Sequence, residues 1–146
     1  MLKLISGLSL FGLLLSMGVV NTASAQIVDT VVVDAPFSFV VDGTTLPAGK
    51  YDIRPADDVE AGDNLMEIVS ADGRTEVLFM TDASTVKTEP EHSVVLFNNY
   101  EGHRYLSAVY LAGDTTGITL IPGYREKIYL KHGKKATVES RPAKKK

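Results

Sequence analysis

Between residues 27 and 121 the apolar side chains fall in short alternating runs separated by turn residues, and no stretch shows the spacing of an amphipathic helix. Successive side chains of an extended strand point to opposite faces. Phe37, Phe39 and Val41 are therefore expected on one face, and Tyr51 and Ile53 on one face with Lys50, Asp52 and Arg54 turned outward. The pattern predicts strands at Ile27 to Asp34, Phe37 to Val41, Lys50 to Arg54, Leu65 to Ser70, Thr75 to Thr81, Ser93 to Asn98, Arg104 to Leu111 and Ile118 to Ile121. Val31-Val32-Val33 and Val94-Val95-Leu96-Phe97 are apolar at every position, which points to central strands covered on two sides or to a closed barrel.

The turn chemistry agrees. Asp42-Gly43 and Asp72-Gly73 are tight-turn dipeptides, because glycine tolerates positive φ and aspartate tolerates it better than most residues. Pro47-Ala48-Gly49 and Pro122-Gly123 mark further reversals. The fold class expected is all-β: a single antiparallel β-sandwich or small barrel of about eight strands. Phe37, Phe39, Tyr51, Ile53, Phe79, Phe97 and Leu106 are the expected core. Tyr124 to Lys131 reads as a last strand or a short helix, and the polar stretches Ala56 to Asn64 and Asp82 to His92 read as surface loops.

The start of the chain has a different pattern. Lys3 precedes an apolar run from Leu4 to Val20, followed by Ala23-Ser24-Ala25 ahead of Gln26. A short basic start, a lipophilic middle and small residues before the cut are the marks of a secretory signal peptide. The run is interrupted by serines and glycines and is short for a spanning helix of roughly 20 apolar residues. The expected organisation is a signal peptide over 1–25, a β domain over 26–131 and a basic tail over 132–146, with no transmembrane segment after cleavage. The 121 residues left after cleavage suit one domain. The chain has no cysteine, so an apolar core and not disulfides must hold it, and thiolate nucleophiles, thiolate zinc sites and lipid attachment at cysteine are excluded.

Charge divides the chain once more. Residues 26–123 carry sixteen acidic and five basic side chains, a net of −11, whereas residues 124–146 carry nine basic and two acidic ones, a net of +7. The tail has one Ala136-Thr137-Val138 triplet among its charges, too little apolar area to offset its ordering entropy, and is expected to be disordered. Its basic residues, Lys134, Lys135, Arg141, Lys144, Lys145 and Lys146 together with Lys127 and Lys131, have the chemistry to meet an anionic envelope surface, where each contributes about 1 kcal/mol. The competing reading folds the tail back onto the acidic body. Nucleic acid is not an expected partner, because the body repels phosphates.

Three segments carry a resemblance. Pro36-Phe37-Ser38-Phe39-Val40-Val41, then Thr45-Leu46-Pro47-Ala48-Gly49-Lys50-Tyr51-Asp52-Ile53, and later Leu96-Phe97-Asn98-Asn99-Tyr100-Glu101-Gly102-His103-Arg104-Tyr105-Leu106-Ser107, resemble a family of short, uncharacterised exported bacterial proteins. The likeness spans roughly Pro36 to Glu126 and implies a β fold; the family has no assigned activity, so it implies no catalytic residue. This chain departs from the pattern in the position of Gly102 after Tyr100 and in its long basic ending. The Leu-Pro-x-Gly-x-Tyr stretch is also similar to a hairpin of transthyretin-like surface sandwiches, which bears on fold and not on function.

Chemistry-bearing constellations are sparse. Asp57, Asp58, Glu60 and Asp63 offer carboxylate oxygens to calcium, but their spacing departs from the Asp-x-Asp-x-Asp-Gly loop, so a solvated acidic loop is expected. His92, His103 and His132 make no metal-binding spacing, and Glu89, Glu91 and His92 read as a polar loop rim. No Gly-x-Ser-x-Gly elbow occurs, and Ser93 beside His92 would face the opposite side of a strand. Tyr100, Tyr105, Tyr110, Tyr124 and Tyr129 form a binding strip or, more simply, line sheet edges. No catalytic residue, metal or cofactor is expected. The functional expectation is an exported, non-catalytic binding or structural protein at the cell envelope. The alternatives are a small extracytoplasmic hydrolase using loop carboxylates and a carrier of a small apolar ligand in a barrel interior.

Overall fold

The computed structural model describes residues 29–57 and 64–146. The signal segment and most of the acidic loop lie outside the described residues. In chain order the elements are β1 (Val31–Ala35), β2 (Phe39–Val41), β3 (Thr44–Leu46), β4 (Gly49–Pro55), β5 (Leu65–Ser70), β6 (Glu76–Thr85), β7 (Val94–Tyr100), β8 (His103–Tyr110), β9 (Thr116–Leu120), α1 (Tyr124–Lys131) and β10 (Thr137–Lys145). Eight strands close an antiparallel barrel in the order β8-β7-β10-β1-β4-β5-β6-β9, with β9 returning to β8. The β2–β3 hairpin joins it through β2, which runs parallel to β8 with Val40 opposite Tyr105.

Two strands make the corners. β6 pairs with β5 through Glu76–Met80 and with β9 through Thr81–Thr85. β10 pairs with β7 through Thr137–Pro142 and with β1 through Ala143–Lys145. Strands that change partner in this way turn one sheet into the next, which is how two twisted sheets close on each other.

Period-two alternation sends one set of side chains into the centre. Val31, Val33, Tyr51, Ile53, Met66, Ile68, Phe79, Val95, Phe97, Val109 and Ile118 are each at most 3% exposed, joined by Phe39 and Leu46 from the hairpin. Phe39 meets Phe97 and Tyr51 edge to face at 5.2 and 5.3 Å, and Phe37 meets Phe97 at 5.2 Å. Such pairs add about 0.5–1.5 kcal/mol each beyond their buried area. Of the expected core residues, Phe39, Tyr51, Ile53, Phe79, Phe97 and Leu106 are buried and Phe37 packs against them half-buried.

Asp42 and Gly43 both take positive φ, 44° and 82°, the conformation of a two-residue hairpin turn between β2 and β3. Gly117 serves another need: a Cβ there would collide with the Tyr110 ring and the Val109 carbonyl, so β8 and β9 close only because the residue has no side chain.

Three expectations are corrected and one open alternative is decided. The tail is not disordered: Thr137–Lys145 is a wall strand of the barrel. Composition misleads there because β10 is held by backbone pairing to β7 and β1, which does not require apolar side chains; Ala143 alone of its side chains packs on the core. Of the two readings open for Tyr124–Lys131, the short helix is the one that forms. The stretch from Asp82 is not all loop, since β6 runs on to Thr85 against β9. A short strand, β3, forms where none was expected, because the turn at Asp42-Gly43 folds Thr44–Leu46 back along β2.

Candidate interaction surface

The core fills the barrel, so the chemistry available to a partner lies on the outside. Six of the eight basic residues expected to gather at an anion, Lys134, Lys135, Arg141, Lys144, Lys145 and Lys146, are separated by the fold. Lys134 pairs with Glu101 at 2.6 Å, Lys145 with Asp29 at 2.7 Å and Lys146 with Asp52 at 2.9 Å. Arg141 sits opposite Val95, on the same side of β10 as Ala143, and its Nε is buried with no hydrogen-bond partner among the described residues. Lys135 and Lys144 are exposed and make no ion pair among the described residues. The acidic body thus takes up a good part of the tail's charge, as the fold-back reading requires.

Paired carboxylates recur elsewhere. Glu67 is buried and receives the guanidinium of Arg54 from the directly opposed position on β4. Glu139 accepts hydrogen bonds from Arg104 at 2.8 Å and from the Asn99 amide at 2.6 Å; the Arg104 bond, then the Asn99 bond, hold its carboxyl below the usual glutamate range. Arg104 also lies over the Phe37 ring, 4.4 Å from its centroid. The hydrogen bond from Lys134 lowers Glu101 in the same way and raises Lys134.

On the outer wall, α1 covers a second, smaller cluster. Tyr129 stacks on Tyr100 at 5.0 Å with nearly parallel rings, and Tyr105 packs edge-on to both. Beneath the helix Glu126 is buried and accepts from Asn98 at 3.0 Å and from the Tyr100 hydroxyl at 3.4 Å. Burial, then the charge of Glu126, raises the Tyr100 phenol above its ordinary value. Tyr110 bonds to Ser84 at 2.7 Å, whereas Tyr124 is 81% exposed. The five tyrosines therefore form no single strip. Glu126 was not among the expected residues; its one legible signal is an acidic side chain on the first turn of a segment otherwise rich in bases.

Two open grooves mark the outside. One, of about 580 Å³, lies across β1 and β10 between Val32, Asp34, Lys50, His92, Pro142 and Lys144, and gathers three basic side chains around one carboxylate. The other, of about 450 Å³, runs beside β6 and includes Leu78, Met80, Ile121, Tyr124 and Lys127. Leu78, Met80 and Ile121 are 40–47% exposed, a continuous apolar surface. Its signal in the sequence is Val77-Leu78-Phe79-Met80, apolar on both faces of a strand that has only one face to bury.

The histidines stay apart. His92 lies before β7, His103 tilts over Tyr129 at 6.1 Å, and His132 caps α1 through the Ile128 carbonyl. Among the described residues no three His, Asp or Glu side chains converge as a metal site. Of the acidic loop only Ala56, Asp57 and Asn64 at its ends fall within the described residues. Among these residues, too, no helix is long and apolar enough to cross a membrane. Comparison with protein-family models, with curated proteins and with solved structures finds no match to this chain.

Proposed function

We propose that this chain is an exported, non-catalytic binding or structural protein of the bacterial cell envelope, working through the outer surface of its barrel. The supporting observation is the filled core: eleven inward side chains, each at most 3% exposed, occupy the space a carrier would give to its ligand. The envelope address rests on the signal-peptide pattern of residues 1–25 and on the resemblance to exported bacterial proteins. Five of the described carboxylates, Asp29, Asp52, Glu67, Glu101 and Glu139, are paired with bases, an arrangement that neutralises their charge and occupies those acids structurally.

Among Lys134, Lys135, Arg141, Lys144, Lys145 and Lys146 the anion-contacting role narrows to Lys135 and Lys144, with Lys50 and His92 beside the latter. Three exposed lysines near an anionic surface supply about 3 kcal/mol, a weak and salt-sensitive attachment. The test is co-sedimentation with anionic and neutral vesicles across a salt series. Charge reversals Lys50→Glu, Lys135→Glu and Lys144→Glu are the variants to use, because deleting the tail would remove a barrel strand. Binding to anionic vesicles that fades with salt and with the reversals is the expected result. A protein that stays in solution with both vesicle types at low salt overturns the envelope-contact reading.

A further inference from the structure

Backbone groups alternate sides along a strand, and two bonds fix which way those of β6 point. The Thr81 N–H reaches the Asn64 carbonyl on the β5 side, whereas the Met80 carbonyl accepts from the Ile121 N–H on the β9 side. Counting back from Met80, the N–H and C=O of Leu78 and Glu76 also point away from β5. β9 stops pairing at Leu120, opposite Thr81, and Pro122-Gly123 lead the chain off to α1. Among the described residues, Glu76 and Leu78 therefore present unpaired backbone donors and acceptors at a sheet edge. The edge lies along the groove that holds Leu78, Met80, Ile121 and Tyr124.

Exposed edges recruit other strands unless they are blunted. The corresponding gap on β10, beside Thr137–Arg141, is followed by Pro142, which has no N–H to donate, and Glu139 and Arg141 lie along it. The β6 edge has no such guard. It carries apolar side chains on its outer face and one charge, Glu76, at its start.

We propose that this edge is a homodimer interface. Two copies pair antiparallel about a two-fold axis at Val77, so that Glu76 of each chain exchanges backbone hydrogen bonds with the partner's Leu78. This register stops short of Met80, whose carbonyl is already taken by Ile121. It makes the two Leu78 side chains diagonal neighbours across the axis and covers the apolar groove. It also carries each Glu76 into the partner's groove, where Lys127 stands; within one chain neither Glu76 nor Lys127 has an ion-pair partner among the described residues. An edge whose own carboxylate answers the cation beside its own groove is complementary to a second copy of itself. The pairing is independent of any vesicle contact, so each proposal fails or stands on its own measurement.

Sedimentation velocity on the purified protein as the cell produces it, diluted from about 100 to 1 µM, tests the pairing. A concentration-dependent dimer is expected. Leu78→Asn withdraws both apolar side chains from the axis without offering the partner's Glu76 a new cation, and weakens the dimer at least about tenfold, a change of 1.4 kcal/mol or more. Glu76→Lys and Lys127→Glu each weaken it, and the double swap restores it, a recovery that damage to the fold would not give. Should Leu78→Asn lose its native circular dichroism spectrum, the charge-swap set decides alone. A monomer at every concentration overturns the interface, as does a dimer indifferent to Leu78→Asn and to both single charge reversals.

Discussion

β6 and β10, ten and nine residues long, are the corner strands of the barrel and differ in almost every chemical respect. β6 places Val77, Phe79 and Thr81 toward the core and leaves Leu78 and Met80 in water on its other face. β10 contributes only Ala143 to the core and is otherwise studded with charge, yet each of its residues has a strand partner. A closed barrel needs both corners, and it obtains one from side-chain burial and the other from backbone pairing with ion pairs at its ends. The lesson is that the wall of a barrel selects for hydrogen-bonding geometry everywhere and for apolar side chains only where they face inward.

Deleting β10 after Gly133 breaks the comparison most severely. The truncated chain leaves the edges of β7 and β1 unpaired and opens the core to water, at a cost that exceeds the 5–15 kcal/mol a domain of this size holds in reserve. Thermal melting followed by circular dichroism is expected to lose its cooperative transition. A truncated protein that still melts cooperatively would show that β10 is decoration.

The apolar side of the comparison is probed at Phe97, which touches both Phe37 and Phe39 and is fully buried. Phe97→Ala is expected to cost about 3–5 kcal/mol in urea unfolding, through lost transfer energy and the cavity left behind. Gly117→Ala, at the join of β8 and β9, forces the Tyr110 ring aside and is expected to cost about 1–3 kcal/mol.

The charged side of the comparison shows itself in pH dependence. Glu139 is held below its ordinary value of 4.5 by Arg104 and Asn99, so its contribution to stability is fully present above that value. Stability falls as the pH drops from there through the lowered folded value and is gone below it. In Glu139→Gln, urea midpoints measured across acidic pH should fall less steeply than in the parent, with a loss at neutral pH of about 1–2 kcal/mol. The smallest expected effect is at Leu78: Leu78→Asn changes the stability of one chain by no more than about 0.5 kcal/mol, because the side chain is half exposed there, while the dimer weakens at least about tenfold.

Alternation was enough to read most of the wall. The inward set Phe39, Tyr51, Ile53, Phe79 and Phe97 follows from period two, and the hairpin turns at Asp42-Gly43 and Asp72-Gly73 follow from their tolerance of positive φ. β10 was not legible in this way, because its stability comes from the β7 and β1 edges, which exist only once distant parts of the chain have met. The candidate surfaces divide likewise. The exposed apolar face of β6 was implicit in Val77-Leu78-Phe79-Met80, whereas the dispersal of the tail lysines depended on where Asp29, Asp52 and Glu101 came to lie.

By itself, then, the sequence determined the strand periodicity, the turns and the aromatic core, since these depend on residues a few positions apart. Tertiary structure alone decided closure of the barrel, the burial of Glu126 beneath α1 and the pairing of tail with body. Each of those depends on contacts between residues 26 to 116 positions apart, whose geometry local propensity does not encode.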